Sequence, residues 1–169
     1  MRGKAVACGL SCGPPARVMN GGQTILLVED CEDDLRLMRH AFQQAKSHHP
    51  LQEVRDGEQA VAYLKGDGPY SDRNRFPLPI VILLDLNLPK KNGFEVLTWV
   101  RAQPGLKRLA VFILTASTRV EDVECAFYLG ATAYLSKPSN LDSLEAMVRC
   151  LCGWVQINHF PSIGEADRP

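Results

Sequence analysis

The chain has 169 residues, and its 19 Lys and Arg balance 19 Asp and Glu, so the formal net charge is zero. That length suits one globular domain, and the hydrophobic share of 46% and charged share of 22% are ordinary for one. A balanced charge argues against a nucleic-acid partner, and no apolar run approaches the ~20 residues that cross a bilayer. These values disfavour a DNA-binding repressor, a membrane protein and a disordered linker.

The two ends of the chain differ from its middle. Residues 1–21 are predicted to be a disordered extension, because their apolar stretch is broken by Cys8 and Gly9 and is too short for a secretory signal. Met19 is an alternative start, and residues 153–169 are predicted to be a C-terminal tail. The six cysteines form no CxxC pair, which favours reduced thiols and a cytoplasmic location.

From Thr24 onward, short apolar runs alternate with segments of helical periodicity. The runs that predict strands lie at 24–29, 51–56, 79–85, 109–115 and 132–136, and the signal at 51–56 is the weaker one. A helix is predicted after each strand, the last one capped by Asn140, and residues 66–79 are predicted to be a loop. Apolar strands that alternate with helices predict a doubly wound parallel α/β domain, and the residues after Cys152 are too few for a second domain.

Polar residues end four of the five predicted strands, at the edge where doubly wound sheets bind ligands. In chain order these residues are Glu29 and Asp30, Asp85, Thr115, and Ser136 with Lys137. Three carboxylates cannot crowd together uncompensated, because like charges raise one another's pKa. Mg²⁺ with oxygen ligands fits such a pocket, and it would orient a phosphoryl group that the Lys and Thr side chains also hold. The set therefore predicts phosphoryl transfer onto an Asp.

Four segments occur in this order along the chain: ILLVEDCEDD, VILLDLNLPKKNGFEVL, FILTAS and AYLSKP. Their order and spacing resemble the receiver domain of two-component response regulators over about residues 22–152. The resemblance implies a flavodoxin-like five-stranded parallel sheet of order 2-1-3-4-5 with five helices. It also implies phosphorelay signalling with a sensor histidine kinase and a downstream partner or phosphotransfer protein. In the family, the peptide bond that corresponds to Lys137–Pro138 is cis.

The resemblance implies a role for each acidic residue at the strand ends. Asp85 corresponds to the phosphoacceptor. Glu29 and Asp30 correspond to the acidic pair that holds Mg²⁺, together with Asp85 and the backbone carbonyl of Asn87. Many members have Asp where this chain has Glu29, a common variation that leaves metal binding intact.

The resemblance also implies roles for the residues around the phosphoryl group. Lys137 and Thr115 contact the phosphate. Thr115 and Tyr134 form a switch, in which phosphorylation draws Thr115 toward the phosphate and lets Tyr134 turn inward; an aromatic packed on the sheet edge is the alternative for Tyr134. Asn87 and Ser117 border the path of an attacking water and are expected to tune dephosphorylation.

The longer loop at 66–79, the segment NLPKKNG and the tail GWVQINHFP resemble single-domain regulators paired with bacteriophytochrome-type sensor kinases. That subgroup forms homodimers, which would make Trp154, Val155, Ile157 and Phe160 interface residues. The alternative is that these side chains fold back over the last helix.

Two alternatives to a phosphorylated receiver stay open. An aspartate-nucleophile, Mg²⁺-dependent phosphatase of the haloacid dehalogenase type also uses a strand that ends in Asp. It needs a second Asp two residues later, where this chain has Asn87. A receiver-like interaction module would never be phosphorylated. On the receiver interpretation the protein is not an enzyme, apart from slow autodephosphorylation, and its partners include neither nucleic acid nor membrane.

The acidic residues are concentrated in one segment. The residues that crowd the end of the first strand are Glu29, Asp30, Glu32, Asp33 and Asp34, with Asp85 expected beside them. The neutral average therefore conceals an acidic metal pocket. The receiver is expected to use most of the chain and to leave no room for an output domain.

Overall fold

A computed structural model describes residues 23–160, so the predicted extension at 1–21 lies outside the described residues. The strands are β1 (Ile25–Val28), β2 (Leu51–Val54), β3 (Val81–Leu84), β4 (Ala110–Thr115) and β5 (Ala133–Ser136). The helices are α1 (Glu32–Gln44), α2 (Gly57–Lys65), α3 (Gly93–Ala102), α4 (Val120–Tyr128) and α5 (Leu141–Ile157). No helix in this part of the chain is long and apolar enough to span a membrane.

All five strands are parallel, and their order is β2-β1-β3-β4-β5. This order confirms the predicted doubly wound, flavodoxin-like fold. In the register of the sheet, Val28 at the end of β1 pairs with Leu84 at the end of β3. Because neighbouring strands end level with one another, the residues that follow β1 and β3 emerge side by side at one edge.

Alternate residues of the strands pack on opposite faces of the sheet, as the two-residue period of a strand requires. Leu26, Ile82 and Val111 belong to the cluster that packs against α2, α3 and α4. Leu27 and Leu83 belong to the cluster that packs against α1 and α5. Both faces of the three central strands are covered, which explains why β1, β3 and β4 are almost entirely apolar. The edge strands β2 and β5 are only partly buried and carry polar residues.

Helix α5 continues to Ile157, beyond the predicted domain end at residue 152. The Trp154 ring contacts the ring of Phe112 on β4 with centroids 4.9 Å apart. The Phe160 ring contacts Trp154 at 5.6 Å, and Val155 is fully buried. Three of the four predicted interface residues therefore cover their own sheet, whereas Ile157 is 79% exposed.

Among the described cysteines, which are all free thiols, only Cys152 is buried.

The loop at 66–79 is held to the C-terminal end of α2 by Arg73. The Arg73 guanidinium donates hydrogen bonds to the carbonyls of Tyr63 (2.8 Å), Leu64 (2.7 Å) and Phe76 (3.2 Å). The rings of Tyr63, Tyr70 and Phe76 contact one another pairwise, with centroids 5.3–6.0 Å apart. A positive side chain at the end of a helix satisfies carbonyls that have no partner within the helix. The long loop is thus an ordered part of the domain.

We expect Arg73→Ala to lower the free energy of unfolding by about 2 kcal/mol, because it removes charge-assisted hydrogen bonds to three carbonyls. The control is Arg75→Ala, since Arg75 is exposed and its guanidinium lies over the Phe76 ring, 5.2 Å from the ring centroid. Its cost is expected to stay below about 1 kcal/mol. Urea denaturation followed by circular dichroism measures both values, and equal losses would show that Arg73 does not anchor the loop.

Candidate functional site

Three carboxylates meet at the edge of the sheet where β1 and β3 end. Glu29 and Asp30 follow β1, Asp85 follows β3, and each offers an oxygen within 4.8 Å of the others. Glu29 is 2% exposed and Asp85 6% exposed, whereas Asp30 faces solvent. Burial raises the pKa of Glu29, and the contacts that this carboxylate makes with Lys137 oppose the rise only in part. The register of the sheet thus brings together the three acids that the sequence predicted.

Lys137 lies among these carboxylates. Its Nζ is 2.6 Å from Glu29 Oε2 and 2.9 Å from Asp85 Oδ2, and it also contacts Asp34 Oδ2 at 2.9 Å. The Lys137 amide donates to the carbonyl of Thr115 at the end of β4, which places the side chain at this edge. Burial alone would lower the pKa of Lys137, but the hydrogen bonds to the three carboxylates outweigh it and raise this pKa above its usual range. The side chain is therefore an ammonium.

Backbone amides hold the other oxygen of the Asp85 carboxylate. Asp85 Oδ1 accepts a hydrogen bond from the Leu86 amide at 2.7 Å and a longer one from the Asn87 amide at 3.4 Å. The Gly93 amide donates to the Leu86 carbonyl at 3.0 Å. A Cβ on Gly93 would lie 2.3 Å from the Asp85 carbonyl oxygen, so only glycine allows this approach. The loop between β3 and α3 is thus closely packed behind Asp85.

A second ion pair anchors the same loop. The Lys90 ammonium is 2.6 Å from Asp56 Oδ2, and Asp56 is buried and caps α2 by accepting from the Gln59 amide at 2.7 Å. Burial would raise the pKa of Asp56, but Lys90 and the Gln59 amide outweigh it, so the pKa lies below its usual value. Lys90 has a φ of +65°, a left-handed conformation that is uncommon for residues other than glycine. This pair was not predicted from the sequence, although an Asp before a helix is an N-cap signal.

The predicted switch residues surround the loop between β4 and α4. Thr115 is fully buried, and its Oγ1 accepts a hydrogen bond from the Ser117 amide at 3.3 Å. The Ser117 hydroxyl donates to Asp122 at 2.5 Å. The Tyr134 hydroxyl donates to the Ser117 carbonyl at 3.1 Å, and its half-buried ring packs against the core. Tyr134 thus already lies inward here, and it connects β5 to this loop.

The crowding of acids in the sequence suggested that the acids of α1 all belong to the pocket, but in the structure only some of them do. Glu32 pairs instead with Arg39 at 3.2 Å and with Arg55, and hydrogen bonds from these arginines hold the pKa of Glu32 below its usual value. Asp33 is exposed and lies 3.8 Å from Arg36. Only Asp34 of this group reaches the pocket, where it contacts Lys137. One turn of helix sends each carboxylate in a different direction.

The sequence model of a protein family, the response regulator receiver domain, matches residues 25–149, which is most of the chain. The chain belongs to the response regulator receiver family. Response regulator Rcp1 of Synechocystis sp. is 42% identical to it over 130 residues, which are 77% of this chain and 86% of Rcp1. One receiver relative, a probable cyclic di-GMP phosphodiesterase of Vibrio cholerae, is 29% identical over 125 residues that make up 25% of its length.

Solved structures of phytochrome response regulators are similar to this receiver. The phosphorylated cyanobacterial phytochrome response regulator RcpA has a TM-score of 0.76 and 37% identity, over 83% of this chain and 99% of RcpA. The Mn²⁺-bound form of Rcp1 has a TM-score of 0.73 and 40% identity, over 82% and 99% of the two chains. The predicted resemblance to phytochrome-associated regulators is therefore confirmed, and the phosphatase and interaction-module alternatives are not favoured.

One feature implied by the family resemblance is not found in this receiver. No peptide bond between residues 23 and 160 is cis, so the bond from Lys137 to Pro138 is trans. The trans form is favoured for such bonds by about 0.5–1 kcal/mol.

We expect Gly93→Ala to lower the free energy of unfolding by about 2 kcal/mol, because the new Cβ would collide with the Asp85 carbonyl and displace the loop. The matched control is Gly153→Ala in α5, where a Cβ would meet nothing within 4 Å. That change should raise the free energy of unfolding by about 0.5–1 kcal/mol. Thermal and urea unfolding measure both, and a neutral Gly93→Ala would contradict the close packing behind Asp85.

Proposed function

We propose that Asp85 accepts a phosphoryl group from a sensor histidine kinase, and that phosphorylation changes the surface through which this receiver binds its partner. The observation that carries this proposal is the ammonium of Lys137 between the carboxylates of Glu29 and Asp85. This arrangement combines a nucleophilic carboxylate, a positive group for the phosphoryl oxygens and further acids for a cation.

In the proposed reaction, a carboxylate oxygen of Asp85 forms a bond to phosphorus while the bond from phosphorus to the kinase histidine breaks. The Leu86 amide holds the second carboxylate oxygen and fixes the direction of the nucleophile. Lys137 moves from the Asp85 oxygen to a phosphoryl oxygen, because the negative charge moves there. Positioning and charge stabilisation supply most of the catalysis in phosphoryl transfer.

The oxygen atoms of Glu29, Asp30 and Asp85 fit Mg²⁺, which prefers hard oxygen ligands and keeps several of its waters. We propose that these three carboxylates hold the cation together with the backbone carbonyl of Asn87. A bound Mg²⁺ would neutralise the charge of the incoming phosphoryl group. The exposed side of Asp30 leaves the pocket open to solvent and to a donor.

The proposed signal passes through the loop between β4 and α4. A phosphoryl oxygen would attract the Thr115 hydroxyl away from the Ser117 amide. Movement of Ser117 would change its contact with Tyr134, whose hydroxyl binds the Ser117 carbonyl. Such a switch is a shift between two populations, in which phosphorylation stabilises one of them.

The phosphoacceptor is tested with acetyl phosphate, a small phosphoryl donor, in the presence of Mg²⁺. We expect intact-mass spectrometry to find one added phosphoryl group on the wild type and none on Asp85→Asn. The matched control is Asp33→Asn, which removes an exposed carboxylate and should be labelled like the wild type. Removal of Mg²⁺ with EDTA should prevent labelling. Equal labelling of Asp85→Asn would refute the proposal.

We propose that Asn87 and Ser117 tune the lifetime of the phosphorylated state. Asn87 is exposed beside Asp85, so the amide group of its side chain can form a hydrogen bond with an attacking water. Asn87→Leu keeps a similar volume without that amide and should slow loss of the phosphoryl group by about fivefold. Ser117→Ala should also change the rate, because it releases Asp122 and loosens the loop. Decay of the labelled protein measures both rates, and unchanged rates in both variants would contradict the prediction.

Further parts of the proposal concern partners and location. The kinase is of the bacteriophytochrome type, and the receiver signals to a partner or phosphotransfer protein in the cytoplasm without being an enzyme. Homodimer formation is also proposed. Of the predicted interface residues, Ile157 is the one that stays exposed and does not pack against the sheet of its own chain. The remaining large apolar side chains on the described surface lie on α1 and α4: Leu37, Val120, Phe127 and Tyr128.

A further inference from the structure

Lys137 uses all of its hydrogen-bonding capacity inside the pocket. An ammonium has three N–H donors, and the Lys137 Nζ has three carboxylate neighbours within 2.9 Å, from Glu29, Asp34 and Asp85. The Lys137 side chain is 17% exposed. To contact a phosphoryl group or to yield space to a cation, this ammonium must therefore give up at least one of the three carboxylates.

The three partners of Lys137 differ in what else they are needed for. Glu29 and Asp85 belong to the group of carboxylates that could hold a metal ion, and Asp34 does not. Asp34 lies in the first turn of α1, and its side chain is 37% exposed. When a cation takes up the oxygens of Glu29 and Asp85, Asp34 is the partner that Lys137 can keep.

The surroundings leave the ammonium room to move toward Asp34. Asp34 and Lys137 line a small cavity of about 30 Å³ between α1 and the start of α5. The other walls include the apolar side chains of Met38, Leu114 and Leu144. Glu29 also lines this space, but its oxygens belong to the carboxylate group that could hold the cation, and the apolar walls offer Lys137 no other acceptor. Asp34 is therefore the polar group toward which a displaced ammonium would turn.

We propose that Asp34 is a positioning residue, which draws the Lys137 ammonium toward α1 and so lets the cation and the ammonium occupy the same pocket. This inference rests on the proposed function, because it needs the cation site. Without Asp34, Lys137 has only Glu29 and Asp85 as partners and competes with the cation for their oxygens. Asp34 would thus raise the affinity for the cation although it is not a ligand.

The test is the dissociation constant for Mg²⁺, measured by isothermal titration calorimetry on the unphosphorylated full chain. We expect Asp34→Asn to weaken binding by about tenfold, since a hydrogen bond between charged groups is lost. Asp33→Asn removes the same charge one residue away, where it is exposed, and should weaken binding by no more than about twofold. Asp34→Glu keeps a carboxylate and should recover most of the affinity.

A double-mutant cycle separates positioning from a simple charge effect. If Asp34 acts through Lys137, Asp34→Asn in a Lys137→Met background should change the Mg²⁺ affinity no more than Asp33→Asn does there. A tenfold loss that persists in this background would overturn the inference, because the effect would then be a direct attraction between Asp34 and the cation.

Circular dichroism would show whether the Lys137→Met variant is folded. If it is not, comparison of Asp34→Asn, Asp34→Glu and Asp33→Asn in the wild-type background decides: equal affinities of the two Asn variants would overturn the inference. Failure of the proposed function would look different, because the wild type itself would then bind no Mg²⁺ or accept no phosphoryl group from acetyl phosphate.

Discussion

Glu29 and Asp85 can be buried side by side because the ammonium of Lys137 lies between them. Burial of a single charge is costly, and removal of one partner from a buried pair typically costs about 3–5 kcal/mol. The pocket is therefore stable only with a positive group in it. One ammonium offsets only part of the negative charge of the pocket, and under the proposed function it must move when a cation or a phosphoryl group enters. The other features of the site keep this pocket in shape.

Two kinds of constraint hold the pocket. The level ends of β1 and β3 set the distance between the acids, because Val28 pairs with Leu84 and the next residues emerge together. The loop after β3 is then packed closely behind Asp85 through Gly93, and the Lys90–Asp56 ion pair ties it to α2. Rigid strands and a packed loop position functional groups more accurately than a free loop does.

Much of the site could be predicted from the sequence, because its residues directly follow apolar strands. Asp85 and Lys137 were found by that position alone. The contacts of the acids in α1 could not be found this way, since Glu32, Asp33 and Asp34 are adjacent in sequence but point in different directions. The position of Tyr134 depends on a hydrogen bond to another loop, which no local pattern encodes.

The sequence by itself determined the order of strands and helices along the chain and the polar residues that stand at or just after the ends of four strands. Apolar periodicity is a local property, and it is sufficient for these features. Only the tertiary structure decided that Lys137 binds Asp34, that Lys90 binds Asp56 and that Trp154 covers Phe112. Each of these contacts joins residues from different elements of the chain. Their pairing depends on how helices pack on the sheet, because sequence spacing does not determine which distant side chains meet.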